Sequence, residues 1–253
     1  GTGVGKSLFM CHLASSYLLQ GLNVLYITLE MAEERIAERI DANLLDVTME
    51  DLHDMPQQLY EGKITKLREK TQGQLVIKEY PTASAHSGHF KSLMNELALK
   101  KSFRPDVIFI DYLNICASSR FKGGNISSYF YVKAIAEELR GLAVEFNVPI
   151  FSATQTTRTG YVSTDIGLED TSESFGLPAT ADFMFALISN EELEALGQMK
   201  VKQLKNRYND PSINRAFIIG VDRAKMRLYD VQQKAGDIVD ANQVDEKEDA
   251  YNK

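Results

Sequence analysis

With 253 residues, 44% of them apolar and 25% charged, the chain has the material for one large α/β core or two small ones. It has no apolar run of membrane-spanning length and no basic-then-apolar leader, so nothing in these residues argues for membrane insertion or secretion. The net charge is −7, but six acids and two lysines between Asp237 and Lys253 put −4 in the tail and leave −3 on the rest, a near-neutral body that can still offer basic loops to a phosphate backbone.

The chain opens on GTGVGKS. In the pattern G-x-x-x-x-G-K-S/T, backbone N–H groups of a glycine turn wrap phosphates, the lysine reaches the outer ones and the hydroxyl binds Mg²⁺. Gly5, Lys6 and Ser7 supply the closing G-K-S, with Gly3 and Val4 in the loop before them. The leading glycine of the pattern would fall just before residue 1. The strand that normally feeds such a loop is therefore expected to lie outside this sequence, which reads as a fragment cut inside the phosphate loop.

Apolar residues at helical spacing run from Ser7 to a stop at Gly21, and NVLYITLE follows as a strand buried on both faces. A helix is expected over residues 31–47 and one or two more over 48–72, broken near His53 and Pro56. LVIKEYP reads as a strand, SGHFKSLMNELALKKS as a helix and DVIFIDYLNIC as a second doubly buried strand. The polar SSRFKGGNISS is a loop, YFYVKAIAEELRGLAVEFN a long amphipathic helix and VPIFSATQ a strand. A loop over 156–170 precedes the strand ADFMFALIS, and KVKQLKNRY, RAFIIGVD and MRLYDV read as antiparallel strands. This alternation predicts an α/β fold: a mainly parallel sheet with helices on both faces and antiparallel strands at its C-terminal edge. One domain is expected over 1–234, followed by an acidic, disordered tail over 235–253. Cys11 and Cys116, in apolar stretches, read as buried free thiols.

Ligands of open α/β sheets sit beyond the carboxyl ends of the strands. Asp111, after four apolar residues, suits a Mg²⁺ ligand opposite the Ser7 hydroxyl, or an acid that merely ends a strand. Glu30 suits a base that deprotonates the attacking water, or an acid favouring the start of the next helix. Gln155 is a neutral group able to sense a terminal phosphate, or a plain surface residue.

In order, GTGVGKS, YITLEMAEE, DVIFIDYLNIC, FSATQTTR, DTSESFGLPATADF and KQLKNRY resemble the motor domain of DnaB-type replicative DNA helicases of superfamily 4, in their T-even phage branch. The resemblance covers nearly all of residues 1–235. It implies a RecA-like fold in a homo-hexameric ring that encircles one DNA strand and unwinds 5′ to 3′ with ATP or another NTP and Mg²⁺. Primase and a helicase loader are the partners it implies, in the cytoplasm of a bacterial host. It makes Lys6 and Ser7 the phosphate and metal contacts, Glu30 the base, Asp111 the metal acid and Gln155 the sensor. Arg207, with Lys205 beside it, becomes the finger reaching a neighbour's site. The channel loops it implies hold Arg120, Lys122 and Arg158, with backbone from Glu173 to Gly176 as a further contact to single-stranded DNA. Ser172 departs from the basic residue that many bacterial members carry there. A RecA-type recombinase or other ring ATPase without processive unwinding shares the fold and is the competing reading, as is a ring component that binds nucleotide without hydrolysing it.

Overall fold

The computed structural model describes residues 5–121, 126–155, 167–168, 176–210 and 212–233; the acidic tail lies outside them. Helix α1 (Lys6–Leu19) ends just before Gly21, whose φ of 84° reverses the chain into strand β1 (Val24–Thr28). Helices α2 (Glu33–Leu45), α3 (Met49–His53) and α4 (Gln57–Lys70) follow, then β2 (Leu75–Glu79), α5 (Ser87–Lys101) and β3 (Val107–Asp111). After them come α6 (Ser128–Phe146), β4 (Ile150–Ser152), the short helix α7 (Gly176–Thr180), β5 (Phe183–Ile188) and the short helix α8 (Glu191–Ala195). Strands β6 (Gln198–Asn206), β7 (Ala216–Asp222) and β8 (Arg227–Asp230) close the described chain.

The first four strands form a parallel sheet in the order β2-β1-β3-β4, with Thr28 in register with both Glu79 and Asp111. Every residue of β1 and β3 is buried, which accounts for their unbroken apolar runs. Val24 and Tyr26, with Val107 and Phe109, meet Cys11, Ala14 and Leu18 of α1 and Ile36 and Ile40 of α2. Leu25 and Ile27, with Ile108 and Ile110, meet Phe90 and Met94 of α5 and Ile135 and Leu139 of α6. The period of two thus feeds two cores, each fully buried large side chain stabilising the fold by about 1.5–3 kcal/mol.

The last four strands form an antiparallel sheet, β5-β6-β7-β8. The sequence places them at the edge of one sheet; in the structure β4 pairs with β3 and β5 with β6, and the two sheets share no strand pairing among the described residues. Helix α1 joins them instead, since Leu8 packs on Met199 and Val221 while Met10 and Cys11 face the parallel sheet. Burial on two sides explains why α1 lacks a clean polar face.

Three expected strands stop early. The Thr28 hydroxyl accepts from Met31 N–H at 3.1 Å and donates to Met31 O at 2.8 Å, closing a turn that contains Glu30. Past Asp111 the chain enters a 3-10 turn at Leu113–Ile115 rather than continuing extended to Cys116, and β4 ends at Ser152, three residues before Gln155. Cys11 and Cys116 are buried and free, and burial pushes both thiols up to about 12. No described helix is long and apolar enough to cross a membrane.

Candidate functional site

The parallel strands deliver their carboxyl ends to one rim, where α1 begins. Gly5 caps α1 at φ 107°, a conformation that L side chains rarely adopt, and its carbonyl accepts the Phe9 N–H at 2.8 Å. A Cβ on Gly5 would lie 3.2 Å from Met199 Cε, the tip of a flexible side chain, and 3.9 Å from Arg223 Nη1, so it is the φ rather than the space that calls for glycine. Lys6 and Ser7 open the helix immediately after it. Gly3 and Val4 lie outside the described residues.

Lys6 feels both expected carboxylates. Burial lowers its ammonium pKa, and the charges of Glu30 and Asp111 oppose that shift. The fold brings the latter two together through β1 and β3: Leu29 N–H donates to Asp111 O at 2.9 Å, and Glu30 comes next, exposed at the rim. Asp111 itself is 1% exposed. Its Oδ2 accepts the Tyr26 phenol at 2.9 Å, and its Oδ1 is buried with no hydrogen-bond partner. Burial, reinforced by Cys11 and Asp111, raises the Tyr26 pKa well above 10, so the phenol stays a donor. A buried carboxylate with one oxygen unsatisfied fits a hard divalent cation, which takes oxygen ligands. Among the described residues no group of three or more His, Cys, Asp or Glu could hold a metal, so Asp111 would need Ser7 and a ligand's own oxygens to complete the shell.

Tyr112 belongs to the same cluster, and sequence reasoning missed it. Lys6 Nζ lies 5.7 Å from the centre of its ring, and Gln155 Nε2 donates to its hydroxyl at 3.2 Å. Its position directly after Asp111 was the available signal. A cavity of about 470 Å³, lined by Phe9, Phe183, Phe185 and Phe217 among others, contains none of Lys6, Glu30, Asp111, Tyr112 or Gln155. The chemistry is marked by charge and burial rather than by the size of a hollow.

Lys205 and Arg207 sit elsewhere in the chain's own bonding. Lys205 Nζ donates to Pro178 O at 2.6 Å and Ala179 O at 3.3 Å, at the end of α7. Arg207 donates to Ala179 O at 3.2 Å and pairs with Asp182 at 3.0 Å, a carboxylate shared with Arg140 at 3.1 Å. Neither bonds Glu30 or Asp111 of its own chain.

Of the expected DNA contacts, Arg120 and Gly176 are described, while Lys122, Arg158 and Glu173 are not. Helix α6 underlies both. Arg120 pairs with Glu137 at 2.6 Å, and Gly176 is buried where a Cβ would press on Lys133 Cδ at 2.7 Å, giving that glycine a packing role. Glu138 accepts from the Ser118 hydroxyl at 2.6 Å, Ser119 N–H at 2.9 Å and the Ser87 hydroxyl at 3.0 Å. Burial pushes its carboxyl pKa up, but these donors outweigh burial and hold it below 4.5.

The family model for the DnaB-like helicase C terminal domain matches residues 1–226. The DnaB-like replicative helicase of Enterobacteria phage T4 is 45% identical over 259 residues, covering 99% of this chain and 54% of that protein. The chain thus spans about half the length of that curated relative. Among solved structures, an ATPase domain superposes with a TM-score of 0.74 at 16% identity, covering 91% of this chain and 82% of that one. A DnaB-like replicative helicase, described with its interactions with primase, superposes with a TM-score of 0.73 at 16% identity over 91% of this chain and 56% of that one. At such identities the superpositions establish the fold, and the family match establishes the kinship: the chain belongs to the DnaB-like helicase C-terminal domain family.

Proposed function

We propose that this chain is the nucleotide-hydrolysing motor of a replicative DNA helicase that works as a hexameric ring and moves 5′ to 3′ on one DNA strand. One observation carries the reading: Lys6, Glu30 and Asp111 converge at the strand ends beside the α1 N-terminus, and Asp111 keeps a buried oxygen open. ATP, or another NTP, would lay its phosphates on the Gly3–Ser7 loop, with Lys6 at the outer ones. Mg²⁺, held by Ser7 and Asp111, would neutralise charge on those phosphates. Glu30, exposed at the rim, is free of the buried Tyr26 contact that occupies Asp111 and so suits the base that takes the proton of the attacking water. Gln155 would contact the terminal phosphate.

Arg207 and Lys205 complete a neighbour's site in this reading, supplying cations to the transition state when the ring is closed. Arg120, Lys122, Arg158 and the backbone from Glu173 to Gly176 would track the phosphates of single-stranded DNA without reading sequence. Primase is a proposed partner, supported by the similar helicase described with it, and a loader is a further one. The recombinase reading shares the fold but lacks the family match.

The direct check is NTP hydrolysis by the native protein and by Glu30→Gln. Turnover that rises with single-stranded DNA, and that disappears in Glu30→Gln while nucleotide binding persists, is expected. Turnover surviving in Glu30→Gln would remove Glu30 from the base role.

A further inference from the structure

We infer that Tyr112 is a positioning residue of the hydrolysis site, its hydroxyl fixing the Gln155 amide and its ring seating the Lys6 ammonium. The inference rests on the motor reading above and names a residue that reading does not use.

Segments 112–114 and 153–155, which leave β3 and β4, are tied rung by rung. Leu113 N–H donates to Ala153 O at 3.1 Å, the Thr154 hydroxyl donates to Asn114 Oδ1 at 2.8 Å, and Gln155 Nε2 donates to the Tyr112 hydroxyl at 3.2 Å. The first rung holds the main chain of the β4 exit, the second links two short side chains beside it, and the third reaches the end of a flexible side chain. A glutamine amide carries two N–H donors and a carbonyl. With one N–H on Tyr112, the amide plane is set and its remaining donor and acceptor point in fixed directions. Without that bond the side chain regains rotamers, which costs order at the point where a phosphate is sensed.

The ring does a separate job. Lys6 Nζ at 5.7 Å from the ring centre is within reach of the π face, an attraction that holds the ammonium at the rim. One side chain therefore meets both the sensor and the phosphate lysine.

Hydroxyl and ring are separated by two variants of the native protein. Tyr112→Phe keeps the ring: we expect kcat to fall about 2- to 12-fold, the value of one net hydrogen bond, with KM and fluorescent-ATP affinity unchanged. Tyr112→Leu removes both, and fluorescent-ATP affinity is expected to weaken in addition by about 2- to 5-fold. In a double-mutant cycle, Tyr112→Phe is expected to add no loss of kcat to Gln155→Ala. Wild-type kcat in Tyr112→Phe, or additive losses with Gln155→Ala, would overturn the positioning role while leaving the motor reading intact. A native protein with no NTP hydrolysis would overturn both.

Discussion

The Tyr26 phenol donates to Asp111 Oδ2 at 2.9 Å across the β1–β3 pair, so the carboxylate proposed to hold the metal is aimed by a neighbour buried in the α1 core. Tyr26→Phe keeps the stacking on Phe109, whose ring centre is 5.7 Å away, and deletes one bond to a charged acceptor. Unfolding free energy should fall by about 1.5–3 kcal/mol in urea denaturation. The Mg²⁺ concentration for half-maximal hydrolysis should rise, because the remaining carboxylate is less firmly oriented. An unchanged Mg²⁺ titration would detach Tyr26 from the metal site.

Gly5→Ala places a methyl group at φ 107° against Met199 Cε. Backbone strain of this kind costs about 1–3 kcal/mol and falls at the first turn of α1, where the phosphates are proposed to sit. The variant should lose fluorescent-nucleotide binding far more than it loses thermal stability. Wild-type affinity in Gly5→Ala would show that the loop tolerates a side chain there.

Arg207 is paired with Asp182 in its own chain yet is proposed to act on a neighbour's nucleotide. Arg207→Ala should lower kcat by about 10³–10⁵ while sparing nucleotide binding. Arg207→Lys should not rescue it, since a lysine cannot present the planar fork. Hydrolysis by the native protein should also rise with protein concentration. A specific activity that is flat at dilutions where the protein is monomeric would place the whole site within one chain.

His12 makes the joint between α1 and the β7–β8 hairpin sensitive to pH. Its Nδ1 accepts Leu228 N–H at 3.2 Å and lies 3.1 Å from Asn43 Nδ2, which also donates to Met226 O at 2.6 Å. Burial, then the charge of Arg227, lowers its pKa from 6.5. The folded state thus binds this proton less readily than the unfolded one. Its contribution to stability is complete above 6.5 and is lost as pH falls through the folded value. Between about pH 7.5 and about pH 5.5 the melting temperature should fall more in the native protein than in His12→Gln. Equal falls would assign the acid sensitivity to other groups.

Much of this was legible in the sequence, because the informative signals were local. The runs VLYIT and VIFID are continuous apolar strands since both faces are covered, and the G-K-S turn is a backbone requirement written in glycine. Strand ends were less legible: Thr28 stops β1 through a side-chain turn, and Leu113 leaves β3 for a bond to Ala153, forty residues on, which periodicity does not record. The antiparallel sheet is tied to the rest of the fold by Leu8 packing on Met199 and Val221, a contact between distant parts of the chain that periodicity does not record. Tyr112 was overlooked because an aromatic after an apolar strand reads as core. Its role appears once Gln155 and Lys6 are seen to meet on it.

The central claim, that this chain powers unwinding, is tested most directly by strand displacement with the native protein on a forked duplex, using ATP and Mg²⁺. Displacement of a fork with a free 5′ tail, absent when only a 3′ tail is offered and absent in Glu30→Gln, is the predicted result. Robust DNA-stimulated hydrolysis without displacement of either fork would contradict it.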